Sequence, residues 1–400
     1  MTEASDFEHS ELAQHGIICL STIDWDFLWQ RQQELMTRFA RAGVPVLYVE
    51  PLGVRSARVS DAGKIARRVR RWLSQGLRSA VPLEPRLYRL SPYALPFQGH
   101  RSIDRLNAWL VARSIRQASR RLGLIAPVLW TYYATHIVLD LAGALHPRLL
   151  VYDCIDDVRR NARGVAADYV ATEQALLARA GLALATSSLL QQDKRAANPN
   201  MRLAPPGCNA EHFAAPAAEA AEIVALPHPR LCFFGGIDER LDLELLAGLA
   251  RRCPDWTIVL LGVVRTGVAP LAGLPNIVLI GQRPYRDLPG YVQHMDVLLL
   301  PYLVNEYTKR IYPAKVFECL ATGKPVLATA LPDLVNLSGP VRILHADENP
   351  ERTIEEMLAD DSPEAARHRQ DVARANSWDA RFQDIQSLLV RALHGKEKPA

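Results

Sequence analysis

Short runs of apolar residues alternate with helical patterns through most of the chain, and this alternation limits the fold more than any other feature. The runs are Gly16–Leu20, Pro45–Val49, Pro127–Thr131, Leu149–Tyr152 and Leu182–Thr186, then Leu231–Phe234, Thr257–Leu261, Asn276–Ile280, Asp296–Leu300, Pro325–Ala328 and Val341–Leu344. Helical patterns separate them at Trp25–Ala42, Ile103–Leu122, Val165–Ala180, Leu241–Cys253, Tyr285–His294 and Pro363–Ala375. Strands that are apolar on consecutive residues are buried on both faces, and the intervening helices supply the cover. The pattern therefore predicts α/β architecture with parallel sheets. A chain of 400 residues exceeds what one core usually holds, so two such domains are expected. The segment 213–229, rich in Ala, Pro and Glu, is read as a linker. The expected division is 1–212, the linker 213–229, 230–376, and a terminal stretch 377–400 whose helix, Trp378–Leu393, packs back on the first domain. In open parallel sheets ligands bind beyond the carboxyl ends of the strands, so two Rossmann-like domains are expected to face a central cleft.

The stretch Pro313-Ala-Lys-Val-Phe-Glu-Cys-Leu-Ala-Thr-Gly-Lys-Pro-Val-Leu-Ala-Thr329 reads as a short helix opened by proline, a glycine turn and a buried strand. Lys315 and Glu318 are three apart and so share a helix face. A cation and a carboxylate on one face near a helix start suit a nucleoside diphosphate: the cation and backbone N–H groups meet the phosphates, and the carboxylate accepts ribose hydroxyl protons. The alternative is an ordinary surface ion pair. Earlier, Phe233-Phe-Gly-Gly-Ile-Asp-Glu-Arg240 reads as a strand, a glycine turn and a helix start. Gly235 and Gly236 let backbone approach a phosphate, and Arg240 offers it a guanidinium. The alternative pairs Arg240 with Asp238. The loop Asn305–Arg310 is a further candidate for sugar or diphosphate contact.

In the first half, Asp156 and Asp157 follow an apolar strand, where carboxylates can hold an acceptor hydroxyl or act as a base. Their alternative is to cap the next helix. Asp24 follows the first strand in the same way. Tyr132, Tyr133 and His136 follow another, with His136 more often structural at such a place. Trp25 and Trp29 lie four apart and read as helix packing.

Composition narrows the classes. Hydrophobic residues make up 49% and charged residues 22% of the chain, as in soluble globular proteins. The net charge of +4 argues for no nucleic-acid partner. No run approaches a membrane span, and the acidic, polar start Met-Thr-Glu-Ala-Ser-Asp-Phe-Glu lacks the features of a secretory signal. The six cysteines are scattered with no Cys-x-x-Cys pair, which suits reduced thiols in a cytoplasmic protein. No Asp-x-Asp metal motif lies on a suitable loop, so neither metal nor cofactor is expected. Lys64–Ser79 places Ile65, Val69, Trp72, Leu73 and Leu77 on one helical stripe, with Lys64, Arg67, Arg68, Arg71 and Arg78 largely elsewhere. Such a helix is expected to touch an anionic membrane surface peripherally, on the inner face of the cell membrane.

The order Phe-Phe-Gly-Gly, Leu-Leu-Gly, Asn276-Ile-Val-Leu-Ile-Gly-Gln-Arg-Pro-Tyr, Asp296-Val-Leu-Leu-Leu-Pro and Pro-x-Lys-x-x-Glu-x-x-Ala-x-Gly-Lys-Pro-Val resembles the donor-binding half of glycosyltransferases with the two-domain B-type fold, family 4 and its relatives in polysaccharide synthesis above all. Asp24-Trp-Asp-Phe-Leu-Trp-Gln-Arg-Gln-Gln33, Val46–Glu50, Val151–Asp157 and Ala185–Ser188 look like matching parts of its first half. The sequence departs from the pattern at Arg310, where many members have glutamate, and at Asp156, where a histidine is common. Arg240 is the one clear basic residue early in the second domain, and Gly207-Cys-Asn209 replaces the usual Gly-Val-Asp. The resemblance implies transfer of a sugar from a nucleotide-diphosphate sugar to a glycan or lipid-linked acceptor, with retention at the sugar carbon. It implies a donor site of Gly235, Gly236, Arg240, Arg283, Lys315 and Glu318, an acceptor site of Asp24, Asp156 and His136, and catalytic roles for Asp156, Arg240 and Lys315. A nucleotide-sugar epimerase, a phosphorylase and a noncatalytic nucleotide-sugar sensor stay open as alternatives.

Overall fold

The computed structural model describes residues 12–51, 80–92, 101–160 and 168–395. The basic segment Lys64–Ser79 lies outside them. The chain divides into two compact units. The first comprises 1–186, 190–204 and 382–400, and the second comprises 187–189 and 205–381. The stretch 213–229, read above as a linker, falls within the second unit, where Phe213 and Ile223 are fully buried in its core.

The first unit is built on an eight-stranded sheet. Its strands are β1 (Ile17–Leu20), β2 (Val46–Val49), β3 (Val81–Glu84), β4 (Leu87–Leu90), β5 (Val128–Thr131), β6 (Leu149–Cys154), β7 (Leu182–Ala185) and β8 (Met201–Leu203), in the order β3-β4-β2-β1-β5-β6-β7-β8. Pairing is parallel except for the edge hairpin β3–β4. The period of two in a strand sends alternate residues to opposite faces. Ile18 and Leu20 enter the core on one face of the sheet, and Ile17 and Cys19 that on the other. The second of these cores also takes Ile385, Leu389 and Leu393 of the last helix, Trp378–Leu393.

The second unit holds β9 (Arg230–Phe234), β10 (Thr257–Leu261), β11 (Ile277–Leu279), β12 (Val297–Leu300), β13 (Val326–Thr329) and β14 (Arg342–Leu344), all parallel, in the order β11-β10-β9-β12-β13-β14. Counted within the unit this is 3-2-1-4-5-6, the doubly wound order of dinucleotide-binding sheets. β9 is the central strand and is buried along its whole length. Crossovers run one way from β9 to β10 and the other way to β12, so a crevice opens beyond the carboxyl ends of β9 and β12.

Three expected helices differ. The pattern at Trp25–Ala42 yields a helix only over Arg31–Arg41. Upstream, the backbone is held by distant partners: Trp25 N–H donates to Glu50 (3.3 Å), and Asp26 pairs with Arg89 (2.8 Å). The first of these bonds takes a backbone N–H out of the i to i−4 ladder, and the second fixes the loop by its side chain. The pattern at Tyr285–His294 breaks into a 3₁₀ turn, Tyr285–Asp287, and a short helix, Pro289–Val292, because Pro289 cannot donate into a continuous helix. Pro313 stands before its helix, which spans Lys315–Ala321. The hairpin β3–β4 and strand β8 carry no long apolar run. Pro82 fits β3 because β3 is an edge strand, where a missing N–H costs no ladder bond.

Candidate functional site

At the carboxyl end of β9 the backbone turns at Gly235 (φ +143°), whose N–H donates to Leu261 O at 2.8 Å. A Cβ on Gly235 would lie 2.3 Å from Lys315 Cε, and one on Gly262 would lie 1.7 Å from Gly235 O. Both positions therefore need glycine: the exits of β9 and β10 touch through backbone, and the Lys315 chain lies across Gly235. Lys315 Nζ sits 5.2 Å from the centroid of Phe234 and 3.8 Å from Glu318 Oε2. That separation is loose for an ion pair, and about a third of the lysine side chain is open to solvent. Phe317 and Leu320 on the same helix are buried in the core and hold it against the sheet.

Glu318 is held in a less polar setting. Burial raises its carboxyl above the ordinary glutamate value, and the charges of Lys315 and His212 and a hydrogen bond from Tyr285 only partly offset it. His212 and Tyr285 stack with centroids 4.6 Å apart and planes 16° from parallel, and a ring nitrogen of His212 lies 2.9 Å from Tyr285 O. Cys208, pushed up to about 12 by burial and then by the Glu318 charge, lies behind this group. His212 and Tyr285 escaped the sequence reading. Nothing periodic marks His212, and Tyr285 looked like a helix start.

Arg240 takes the alternative pairing. Its Nε and Nη2 donate to Asp238 Oδ1 (2.8 Å) and Oδ2 (2.6 Å). Burial works to raise Asp238, but these bonds outweigh it and hold the carboxylate below its usual range. The same fork raises Arg240. Arg240 O accepts Leu303 N–H (2.8 Å) and Pro301 O accepts Asp242 N–H (2.8 Å), so the loops after β9 and β12 are sewn together across the crevice. Arg265, after β10, is exposed, and its guanidinium lies 3.8 Å from where a Cβ on Gly236 would stand. It is a second basic residue at this edge that the sequence reading passed over. Arg283 lies apart from Lys315 in its bonding: it forks onto Glu222 (3.1 and 2.7 Å) and donates to Tyr291 Oη (3.2 Å). Arg310 donates to Glu306 O (2.7 Å) and Oε2 (3.1 Å). In the Asn305–Arg310 loop, Asn305 Oδ1 accepts the N–H groups of Tyr307 and Thr308, both at 2.9 Å.

In the first unit the carboxyl end of β6 carries Asp156 and Asp157. Asp157 is buried and bound by Arg159 (2.9 and 3.3 Å) and Arg160 (3.2 Å). Burial opposes its charge, but the two arginines win and its carboxyl is lowered. Asp156 is half-buried, and its carbonyl faces Cys154 Sγ at 3.6 Å. Behind them Glu173 and Lys194, both almost fully buried, pair at 2.6 Å, and Tyr152 Oη donates to Glu173 (2.8 Å). Asp24 is exposed on the loop after β1. His136 opens the helix His136–Leu145 after β5, with its Nε2 2.5 Å from Asp168 Oδ2. Asp24 and His136 thus border the crevice between β1 and β5, the switch point of the first sheet, and Asp156 lies one strand further along.

Residues 228–359 match the family model described as "Glycosyl transferases group 1". A curated relative, the putative teichuronic acid biosynthesis glycosyltransferase TuaH of Bacillus subtilis (strain 168), is 30% identical over 164 residues, 39% of this chain and 41% of TuaH. The match thus spans about two fifths of the relative's length. Among solved structures, sucrose-phosphate synthase from Thermosynechococcus elongatus has a TM-score of 0.66 at 17% identity, covering 96% of this chain and 100% of that one. Anabaena Alr3699/HepE in complex with UDP and glucose also has a TM-score of 0.66, at 14% identity, over 94% of this chain and 99% of its own. At these identities the likeness concerns fold. The chain thus has the two-domain B-type fold of these glycosyltransferases, and its residues 228–359 match the glycosyl transferases group 1 model.

Proposed function

We propose that the protein transfers a sugar from a nucleotide-diphosphate sugar to a hydroxyl of a glycan or lipid-linked acceptor in polysaccharide synthesis. One observation carries the reading: Lys315 lies across the side-chain-free Gly235 at the switch point of the second sheet, with Glu318 one turn further along the same helix. A loosely paired cation above bare backbone is suited to a diphosphate, and a carboxylate beside it to ribose hydroxyls. The UDP seen in the like-folded HepE and the teichuronic acid biosynthesis for which TuaH is named support the same reading.

In this mechanism the bond from the anomeric carbon to the diphosphate breaks, and the bonding pair leaves on the phosphate oxygen. The sugar gains oxocarbenium character as the acceptor oxygen approaches. Lys315 stabilises the departing charge, and Arg240 assists from its fork on Asp238, with electrostatics supplying most of the rate. Gly235 and Gly236 admit the diphosphate to the backbone, Glu318 holds the ribose, and Arg283 borders the donor by way of the Gly281–Tyr285 loop. Asp156 orients the acceptor hydroxyl and takes its proton, with Asp24 and His136 binding the acceptor. The reading assigns charge neutralisation to side chains alone, with no metal, and retention at the sugar carbon.

Thermal-shift measurements with a panel of nucleoside diphosphates test the donor site, since a ligand selective for the folded state raises stability by mass action. At least one diphosphate is expected to raise Tm in the parent chain and to lose that effect in Lys315→Ala and Glu318→Ala. Shifts that survive both substitutions would overturn the site. Peripheral contact with anionic membrane through Lys64–Ser79 belongs to the same reading. Replacing Arg67, Arg68 and Arg71 with glutamate should abolish liposome co-sedimentation. Among the described residues, no helix is long and apolar enough to cross a membrane.

A further inference from the structure

The loop between β1 and the helix Arg31–Arg41 holds three consecutive large apolar residues in water. Phe27 is 56% exposed, Leu28 46% and Trp29 51%. Single exposed apolar residues are ordinary, but a contiguous apolar patch marks a contact surface. The loop that carries this one is fastened at many points. Trp25 N–H donates to Glu50, whose other oxygen accepts from Ser91. Asp26 accepts from the buried Arg89 at 2.8 Å, and Tyr48 Oη donates to Ile23 O at 2.9 Å. Gln33 donates to Trp25 O and Leu28 O, both at 3.4 Å, and accepts from Gln30 N–H at 3.0 Å. Trp25 packs edge-on against Tyr48 (5.0 Å) and Trp29 edge-on against Trp25 (5.4 Å). An apolar tip held on an anchored base needs no reordering when it meets a partner, which lowers the cost of binding.

Place and charge identify the partner. The loop leaves the carboxyl end of β1, at the switch point between β1 and β5, where sheets of this kind bind ligands. Its ionisable residues are the carboxylates Asp24 and Asp26, the second paired with Arg89, so the loop itself offers no cation to an anionic bilayer. Exposed aromatic side chains on one loop with an exposed carboxylate match a sugar ring, which offers C–H bonds on one face and hydroxyl groups at its edge. We infer that Trp29, with Phe27, is a stacking platform for a pyranose ring of the glycan acceptor, and that the exposed Asp24 accepts that sugar's hydroxyl protons. The inference rests on the glycosyltransferase reading and adds to it a carbohydrate contact surface at Trp29 and Phe27.

The test is saturation-transfer difference NMR on the full chain, with methyl glycosides of glucose, galactose, N-acetylglucosamine and glucuronic acid as probes. At least one glycoside should give signals concentrated on the ring C–H groups of one face. Trp29→Ala should weaken its binding about fivefold, the scale of losing one aromatic contact, and Trp29→Phe should restore most of it. Absence of signal from all four probes, or equal signal in Trp29→Ala, overturns the inference. So does Trp29-dependent co-sedimentation with phosphatidylglycerol vesicles, which would make the tip a membrane contact. Nucleoside-diphosphate thermal shifts on the same samples separate the outcomes. Failure here with those shifts intact removes the platform and leaves the donor reading standing; loss of the shifts removes the donor reading itself.

Discussion

The two sheets differ at their carboxyl ends in how one ionisable group is held. In the first unit most such groups are already matched. Asp157 is neutralised by two neighbouring arginines, His136 meets Asp168, and Glu173 is closed off by Lys194 and Tyr152. In the second unit Lys315 keeps its nearest carboxylate at 3.8 Å, with a third of its side chain in water. It spans a glycine rather than packing into a cluster. A group fully paired within the fold meets a ligand only while keeping or giving up that partner; a cation whose partner stays at arm's length can exchange water for an anion directly. On the reading proposed above, the contrast favours the second unit for anion binding. The same reading gives Asp24 and Asp156 of the first unit to the acceptor.

The largest expected effect tests the structural half of that contrast. Lys194→Met should lower the unfolding free energy by about 3–5 kcal/mol, because it leaves the Glu173 carboxylate buried without its countercharge. Denaturant melts check this, and adding Glu173→Gln should recover part of the loss in a double-mutant cycle. A loss within experimental error would mean that the pair is as loose as Lys315–Glu318, and the contrast would vanish. Next comes Lys315→Ala, expected to lower turnover of the best donor by about 10²–10³, the range for removing one preorganised charge-stabilising group, while the melting curve barely moves. A matching fall in stability would instead make Lys315 a structural residue.

Gly235→Ala sharpens the same point on a smaller scale. The added Cβ meets the flexible lysine at a backbone angle that only glycine adopts easily. It should weaken nucleoside-diphosphate binding about tenfold and cost about 1 kcal/mol or more of stability, read by titration calorimetry and denaturant melts. The smallest effect concerns pH. Glu318 is raised in the folded protein, so between its ordinary and its folded pKa the native state holds a proton that the unfolded chain has released. Stability should therefore fall as pH rises through that window, and Glu318→Gln should remove the slope. Nucleotide affinity should change the other way, growing as the carboxylate ionises. A flat affinity profile across the window would detach Glu318 from the ribose.

The strand–helix alternation was enough to place every strand of the second sheet to within a residue or two at either end. The four inner strands are buried along their whole length, and burial on both faces leaves little else for such a run to become; the edge strands β11 and β14 are only partly buried but keep short apolar stretches. The helix that bears Lys315 and Glu318 was legible for a similar local reason, since two residues three apart share a face whatever surrounds them. Other features depended on partners far away in the chain. The helix expected at Trp25 yields to a bond from Trp25 N–H to Glu50 and one from Arg89 to Asp26. Arg240 could face a ligand or Asp238 equally well from its spacing, and only the packed loop selects the fork. His212 joins Tyr285 and Glu318 from a segment that reads as featureless. Local periodicity reports which residues leave water, and that is decided within a few turns of chain. Which polar group meets which is set by approaches across tens to hundreds of residues, and these exist only once both sheets have formed.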